Sequence, residues 1–129
     1  MVGKHVLLVD DEPNILRIWR LELEDRGYRV TTAATANEVL ALAPADLASF
    51  DVVVTDHRLP GLSGLDLAAT LAVRRPGLPV LLTTGGTLEG TDDDASPHVR
   101  AVLHKPFFVD TLFAALHDVL EPPASGESR

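Results

Sequence analysis

Five short apolar runs recur along the chain, each followed by a stretch of different period. HVLLV (5–9) ends in Asp10 and Asp11. YRVTTAA (28–34) is β-branched and alternating, FDVVVTD (50–56) shows no polar alternation, and LPVLLTT (78–84) and VRAVLH (99–104) are again apolar. Runs of this length predict strands, and continuous apolarity predicts parallel strands covered on both faces. Between them the apolar positions fall at helical spacing. Ile15, Leu16, Trp19, Leu21 and Leu23 follow Pro13, which a first helical turn tolerates, and Gly27 closes the segment. Thr35 caps a helix over Val39, Leu40 and Leu42, which Pro44 shortens or kinks. Ser63 caps another over Leu65, Leu67, Ala68, Leu71 and Ala72, with Arg74 and Arg75 in its last turn, where cations suit the helix dipole. Val109, Leu112, Phe113, Leu116, Val119 and Leu120 give a last helix one apolar face.

Strands and helices thus alternate five times, which predicts an α/β, (βα)5, doubly wound three-layer sandwich. Right-handed crossovers leave few strand orders, and 2-1-3-4-5 is the common one for a five-stranded parallel sheet. In such sheets ligands bind outside the carboxyl ends of the strands, where strands 1 and 3 meet. The exception is GGTLEGTDDDASP (85–97), where Leu88 is the only large apolar residue. No apolar stripe can be drawn through it, so the helix between strands 4 and 5 is expected to be short or missing. Asp92, Asp93 and Asp94 lack the twelve-residue loop and closing glutamate of a calcium site and read as a solvated acidic loop. Residues 1–121 are expected to form one domain, with EPPASGESR opening at Glu121 into a tail or linker over 122–129.

Composition narrows the function. The chain has 129 residues, 46% of them hydrophobic, and sets 11 Lys and Arg against 19 Asp and Glu, a formal net charge of −8. That balance argues against direct nucleic-acid binding, which needs a basic stripe. No cysteine is present, so disulfides, zinc thiolates and thiol nucleophiles are excluded. MVGKHVLLVDDE turns acidic too early for a signal peptide, and no apolar stretch approaches the roughly 18 residues of a membrane span. The expected location is cytoplasmic.

The residues that interrupt the apolar runs all lie at strand ends. Strand 1 ends in Asp10-Asp11, strand 3 in Asp56, strand 4 in Thr83-Thr84-Gly85 and strand 5 in His104-Lys105-Pro106. In the expected topology they share one rim. Three carboxylates together repel and call for a cation, and hard oxygen ligands in that number suit Mg²⁺. Lysine is a compact point charge suited to a phosphoryl oxygen, and a threonine hydroxyl can donate to the same oxygen. Such a rim would neutralise a phosphoryl group placed on one carboxylate, and aspartate is an established nucleophile in phosphoryl transfer.

On these residues the chain resembles the receiver domain of two-component response regulators, the flavodoxin-like, CheY-like fold family. VLLVDDEP is similar to the family's acidic pair, VVVTDHRLPGLSG to its phosphoacceptor segment, PVLLTTG to its strand-4 hydroxyl motif and LHKPF to its Lys-Pro motif, within about residues 4 to 121. The resemblance implies that Asp56 accepts a phosphoryl group from the phosphohistidine of a histidine kinase or histidine phosphotransfer protein. The domain then self-catalyses that transfer and a slow hydrolysis without being an enzyme in the ordinary sense. Mg²⁺, or Mn²⁺ in its place, would be ligated directly by Asp11 and Asp56, through water by Asp10, and by the backbone carbonyl of Arg58. Lys105 would pair with the phosphoryl group, Thr84 would move to hydrogen-bond it, and Lys105–Pro106 would be a cis peptide. Phosphorylation would then switch interactions with a partner or with an attached kinase or output domain.

The chain departs from the family at two places, the loop-like 85–97 and Val102, a switch position the family fills with an aromatic residue or histidine. The first, with the PVLLTTG and KPF segments, is similar to receivers attached to hybrid histidine kinases. Both departures leave open a phosphorylation-independent pseudo-receiver acting as a protein-interaction module. Enzymes on similar sheets fit less well. A haloacid-dehalogenase-type phosphatase needs Asp-x-Asp at strand 1, and a dinucleotide enzyme needs Gly-x-Gly-x-x-Gly there. His57 reads as an exposed loop histidine or a tuning residue beside Asp56, Arg58 as a surface or tuning arginine, and His104 as pointing away from the rim by strand alternation.

Overall fold

The computed structural model describes residues 3–85 and 97–120. Five strands, β1 (His5–Val9), β2 (Arg29–Ala33), β3 (Val52–Asp56), β4 (Val80–Thr84) and β5 (Ala101–His104), form one sheet in the order β2-β1-β3-β4-β5. Every neighbouring pair is parallel, with Val6 opposite both Val30 and Val52, Val54 opposite Leu81, and Leu82 opposite Val102. The apolar runs are continuous because both faces are covered. On one face Val6, Leu8, Val52, Val54, Leu81 and Leu103 pack with Leu23 of α1 (Pro13–Asp25) and Leu112 and Leu116 of α5 (Val109–Leu120). On the other, Leu7, Val9, Val53 and Val80 meet α2 (Ala36–Leu40), α3 (Pro44–Ala48) and α4 (Gly64–Arg74) through Val39, Leu47, Leu67 and Leu71. Among the described residues no helix is long and apolar enough to cross a membrane.

The strands other than β1 begin one or two residues later than the apolar runs suggest; Phe50 and Leu78 are buried without joining the ladder. The segment after β2 is two short helices, not one kinked helix. Thr35 Oγ1 accepts from Glu38 N at 3.1 Å, while Glu38 Oε1 accepts from Ala34 N at 3.0 Å, a reciprocal cap that starts α2. Pro44 then opens α3 at its first position, where a missing N–H costs nothing. Arg74 and Arg75 close α4, Arg75 as its C-cap with its backbone N–H on Leu71 O at 2.7 Å, and their side chains also hold this broken region in place. Arg74 donates to Leu40 O at 2.8 Å and Leu42 O at 3.2 Å, and Arg75 donates to Leu47 O at 2.8 Å and to Phe50 O. Leu21, placed on the apolar face of α1 by spacing, is 61% exposed. The reading of 85–97 as a loop falls, for 86–96, outside the described residues, as does the tail at 122–129.

The connection from β3 to α4 presses close to the strand end. Ser63 Oγ accepts from Asp66 N at 3.1 Å as the N-cap of α4, and Gly64 N donates to His57 O at 2.7 Å. A Cβ on Gly64 would lie 2.5 Å from Asp56 O, 2.9 Å from His57 Cα and 2.6 Å from Leu82 Cδ1, and two of those three atoms are backbone and cannot swing aside. Gly61, at φ +85°, takes the left-handed turn that brings the chain there. Gly64→Ala is therefore expected to lower unfolding stability by about 1–3 kcal/mol, measured by urea denaturation; wild-type stability would contradict the close approach.

Candidate functional site

Paired residues on neighbouring strands point to the same face of a sheet. Asp56 pairs with Thr83, and Thr83 with Leu103, so Asp56 and Thr83 share the α1/α5 face with Val54, Leu81 and Leu103. Asp10, two residues beyond Leu8, and Lys105, two beyond Leu103, continue the same face past the ends of β1 and β5. The topology thus delivers two acids and the lysine to one rim from three different strands.

Their contacts follow from that placement. Lys105 Nζ donates to Asp10 Oδ2 at 3.1 Å and lies 3.6 Å from Asp56 Oδ1. Asp10 is 2% exposed, and its other oxygen accepts from Glu12 N at 2.9 Å, a local turn that leads into Pro13 and α1. Asp11 is exposed beside them. One carboxylate oxygen from each of Asp10, Asp11 and Asp56 lies within 4.8 Å of the others, a set able to hold a hard cation. An open cleft of about 470 Å³ above Asp56 is lined by Glu12, Ile15, Asp56, Arg58, Gly85 and Lys105.

Asp56 is 8% exposed at this cleft. Burial, followed by the charge of Asp10, pushes its carboxyl above the usual carboxylate range; Lys105 and a hydrogen bond from the Arg58 backbone act in the opposite direction. The ionised form is therefore less favourable here than on an exposed carboxylate, and added positive charge would offset that.

The remaining sequence-derived positions lie around this centre. The Lys105–Pro106 peptide is cis. Thr84 is buried on the opposite sheet face from Asp56, and its carbonyl accepts from Lys105 N at 2.7 Å. Val102 is half-buried opposite Leu82, and His104 is exposed. Arg58 is exposed at the cleft mouth. His57 is not a plain exposed loop histidine: it is half-buried, its backbone N–H donates to Thr83 O at 2.8 Å, and its Nδ1 is buried. The structure adds two features to the site. Glu12 holds Asp10 through its backbone, a turn that an aspartate two residues before a helix N-cap signals. Thr83 occupies the rim face itself, which only the strand register reveals.

Comparisons with known proteins agree with this fold. The family model of the response regulator receiver domain matches residues 6–117. The transcriptional regulatory protein GlrR of Escherichia coli is 35% identical over 121 residues, covering 93% of this chain and 27% of GlrR. TcrA of Mycobacterium tuberculosis is 34% identical over 119 residues, covering 88% of this chain and 45% of TcrA. The chain thus spans about a quarter to a half of the length of these relatives. Among solved structures, the response regulator TrrA of Thermotoga maritima in complex with Mg(2+)-BeF superposes with a TM-score of 0.79 at 30% identity, covering 91% of this chain and 99% of that one. The chemotaxis response regulator CheY4 of Vibrio cholerae gives 0.79 at 32% identity, covering 92% and 100%.

A carboxyl whose pKa rises on folding contributes stability that is fully present below the ordinary carboxylate range, about 4, and is lost as pH rises through the raised folded value. Asp56→Asn removes that ionisation. In metal-free buffer the variant is expected to be more stable than wild type at pH 7, the gain shrinking as pH falls through the carboxylate range in a series of urea unfolding curves. A variant no more stable than wild type at pH 7 would contradict the assigned strain.

Proposed function

The chain belongs to the response regulator receiver domain family of two-component signalling, and on that premise we propose that Asp56 is its phosphoacceptor. The observation that carries the reading is the rim itself: three carboxylates with oxygens within 4.8 Å, and Lys105 Nζ 3.6 Å from Asp56 Oδ1. An oxygen of Asp56 attacks the phosphorus of a phosphohistidine, the P–N bond breaks, and the departing imidazole nitrogen keeps the electron pair. Lys105 stands where it can pair with an oxygen of the transferred group, and Thr84, at the end of β4, moves to hydrogen-bond it. Asp11 and Asp56 directly, Asp10 through water and the Arg58 carbonyl are the groups that would hold Mg²⁺ or Mn²⁺. The crowded acid set fits a hard divalent ion, and the relative TrrA was solved with Mg(2+)-BeF. When bound, the ion supplies charge neutralisation for the attacking carboxylate and the phosphoryl oxygens.

The domain itself is read as residues 1–121, with 122–129 as a tail or linker, working in the cytoplasm. Its phosphodonor is a histidine kinase or histidine phosphotransfer protein. GlrR and TcrA are named transcriptional regulatory proteins, which favours an attached output domain over the hybrid-kinase arrangement, with this acidic domain itself making no nucleic-acid contact.

Incubation with Mg²⁺ and acetyl phosphate or phosphoramidate is expected to add the mass of one phosphoryl group to the intact protein. Asp56→Ala should abolish the adduct, and Lys105→Ala should slow its formation by about 10²-fold, the scale of losing one charge-stabilising donor. An unmodified wild type would favour the pseudo-receiver reading, and an adduct surviving in Asp56→Ala would move the acceptor elsewhere.

A further inference from the structure

Thr55 is a fully buried alcohol beside Asp56 to which the phosphoacceptor reading gives no task. It follows Val52, Val53 and Val54 in β3 and is 0% exposed. On the sheet it lies between Val9 of β1 and Leu82 of β4, both buried. Valine has the same branched shape, so packing alone does not call for a hydroxyl there, and a buried hydroxyl is costly unless it is bonded. It is bonded: Thr55 Oγ1 donates to the Asp56 carbonyl at 3.0 Å.

Thr55 faces away from the rim, since consecutive strand residues alternate. Its reach to the site is through the main chain. The ladder between β1 and β3 ends at the Val9–Thr55 pair, one residue before Asp56, and the Asp10 N–H turns instead to Ala33 O on β2. The Thr55 hydroxyl binds the Asp56 carbonyl where that ladder stops. The peptide after Asp56 is thereby held on both edges, its C=O by Thr55 Oγ1 and its N–H, that of His57, by Thr83 O at 2.8 Å. Two parts of the site hang from this peptide. One is the Asp56 carboxylate. The other is Arg58, whose backbone N–H bonds to that carboxylate and whose carbonyl is read as a metal ligand.

We propose that Thr55 is a positioning residue for Asp56, its hydroxyl fixing the Asp56–His57 peptide so that the carboxylate and the Arg58 N–H stay aligned. A peptide anchored only by its N–H can rock about that bond, and small misplacements of a reacting group are expensive in rate. The proposal rests on the reading of Asp56 as phosphoacceptor, but the contact itself is made without phosphorylation or metal.

Thr55→Val, which keeps the shape and removes the hydroxyl, and Thr55→Ser, which keeps the hydroxyl, test it in buffer where all three proteins are fully folded. The Arg58 amide proton, read by NMR in metal-free, unphosphorylated protein, reports its bond to the carboxylate. It is expected to move upfield, towards a weaker bond, in Thr55→Val and to keep its wild-type position in Thr55→Ser. With Mg²⁺ and acetyl phosphate, Thr55→Val should phosphorylate about tenfold more slowly, the scale of one buried hydrogen bond, while Thr55→Ser stays near the wild-type rate. A hydroxyl that only satisfies itself predicts a lower urea midpoint for Thr55→Val with the Arg58 amide and the rate of the folded protein unchanged, and that result overturns the proposal. A serine variant that behaves like the valine variant overturns it as well. Thr55→Ala, read in the same way, serves if the valine variant folds poorly. A wild type that takes up no phosphoryl group refutes the phosphoacceptor reading alone, since the Arg58 amide still decides the role of Thr55.

Discussion

A carboxylate at the end of a central parallel strand is desolvated by the helices that cover both faces of the sheet, and here it has a second buried carboxylate beside it. Asp56 and Asp10 are brought together because β3 and β1 are neighbours, and Asp56 at the end of β3 falls on the same face as Asp10 just past the end of β1. Two like charges in that setting repel more strongly than at an open surface. Lys105 bridges the pair, yet burial and Asp10 still outweigh it at Asp56. The fold thus keeps a cluster of negative charge that is only partly neutralised, and a divalent cation or a change in the charge at Asp56 acts on it directly.

The rest of the architecture serves to keep that arrangement narrow. Gly64 lets the N-terminus of α4 press against the carbonyl end of β3, so the loop after Asp56 folds away and leaves the cleft open. β5 ends at His104, and the side chain of the next residue, Lys105, turns across the sheet from there. On the far side, Arg74 and Arg75 bind carbonyls at the ends of two short helices, replacing the packing that one longer helix would have given.

Most of the fold was legible because the valine and leucine runs are continuous and each ends in a residue that cannot continue a core. Asp10, Asp56 and Lys105 break their runs at the same end of the sheet, so topology alone gathers them. Other features were not legible from one sequence. Pro44 reads as a breaker, but a proline that breaks one helix also starts the next, and only the chain's return path decides which. Arg74 and Arg75 suit a helix dipole in sequence, and the carbonyls they bind lie 25 to 34 residues away. The tandem Thr83-Thr84 shows two hydroxyls, whereas the strand register puts Thr83 on the rim face and Thr84 on the other. His57 looks like a loop residue by composition, but backbone bonds to β4 and to Gly64 draw it partly inside.

The central claim is that repulsion among Asp10, Asp11 and Asp56 is what a divalent cation relieves, and thermal unfolding with and without Mg²⁺ tests it most directly. A ligand that binds only the native state at roughly ten times its Kd stabilises by about 1.4 kcal/mol, or about 4 °C in Tm for a domain of this size. Wild type is expected to show a rise of that order in millimolar Mg²⁺ over an ionic-strength-matched sodium control, and Asp11→Ala a much smaller one. A wild-type Tm indifferent to Mg²⁺, or a rise equal in Asp11→Ala, would contradict the claim.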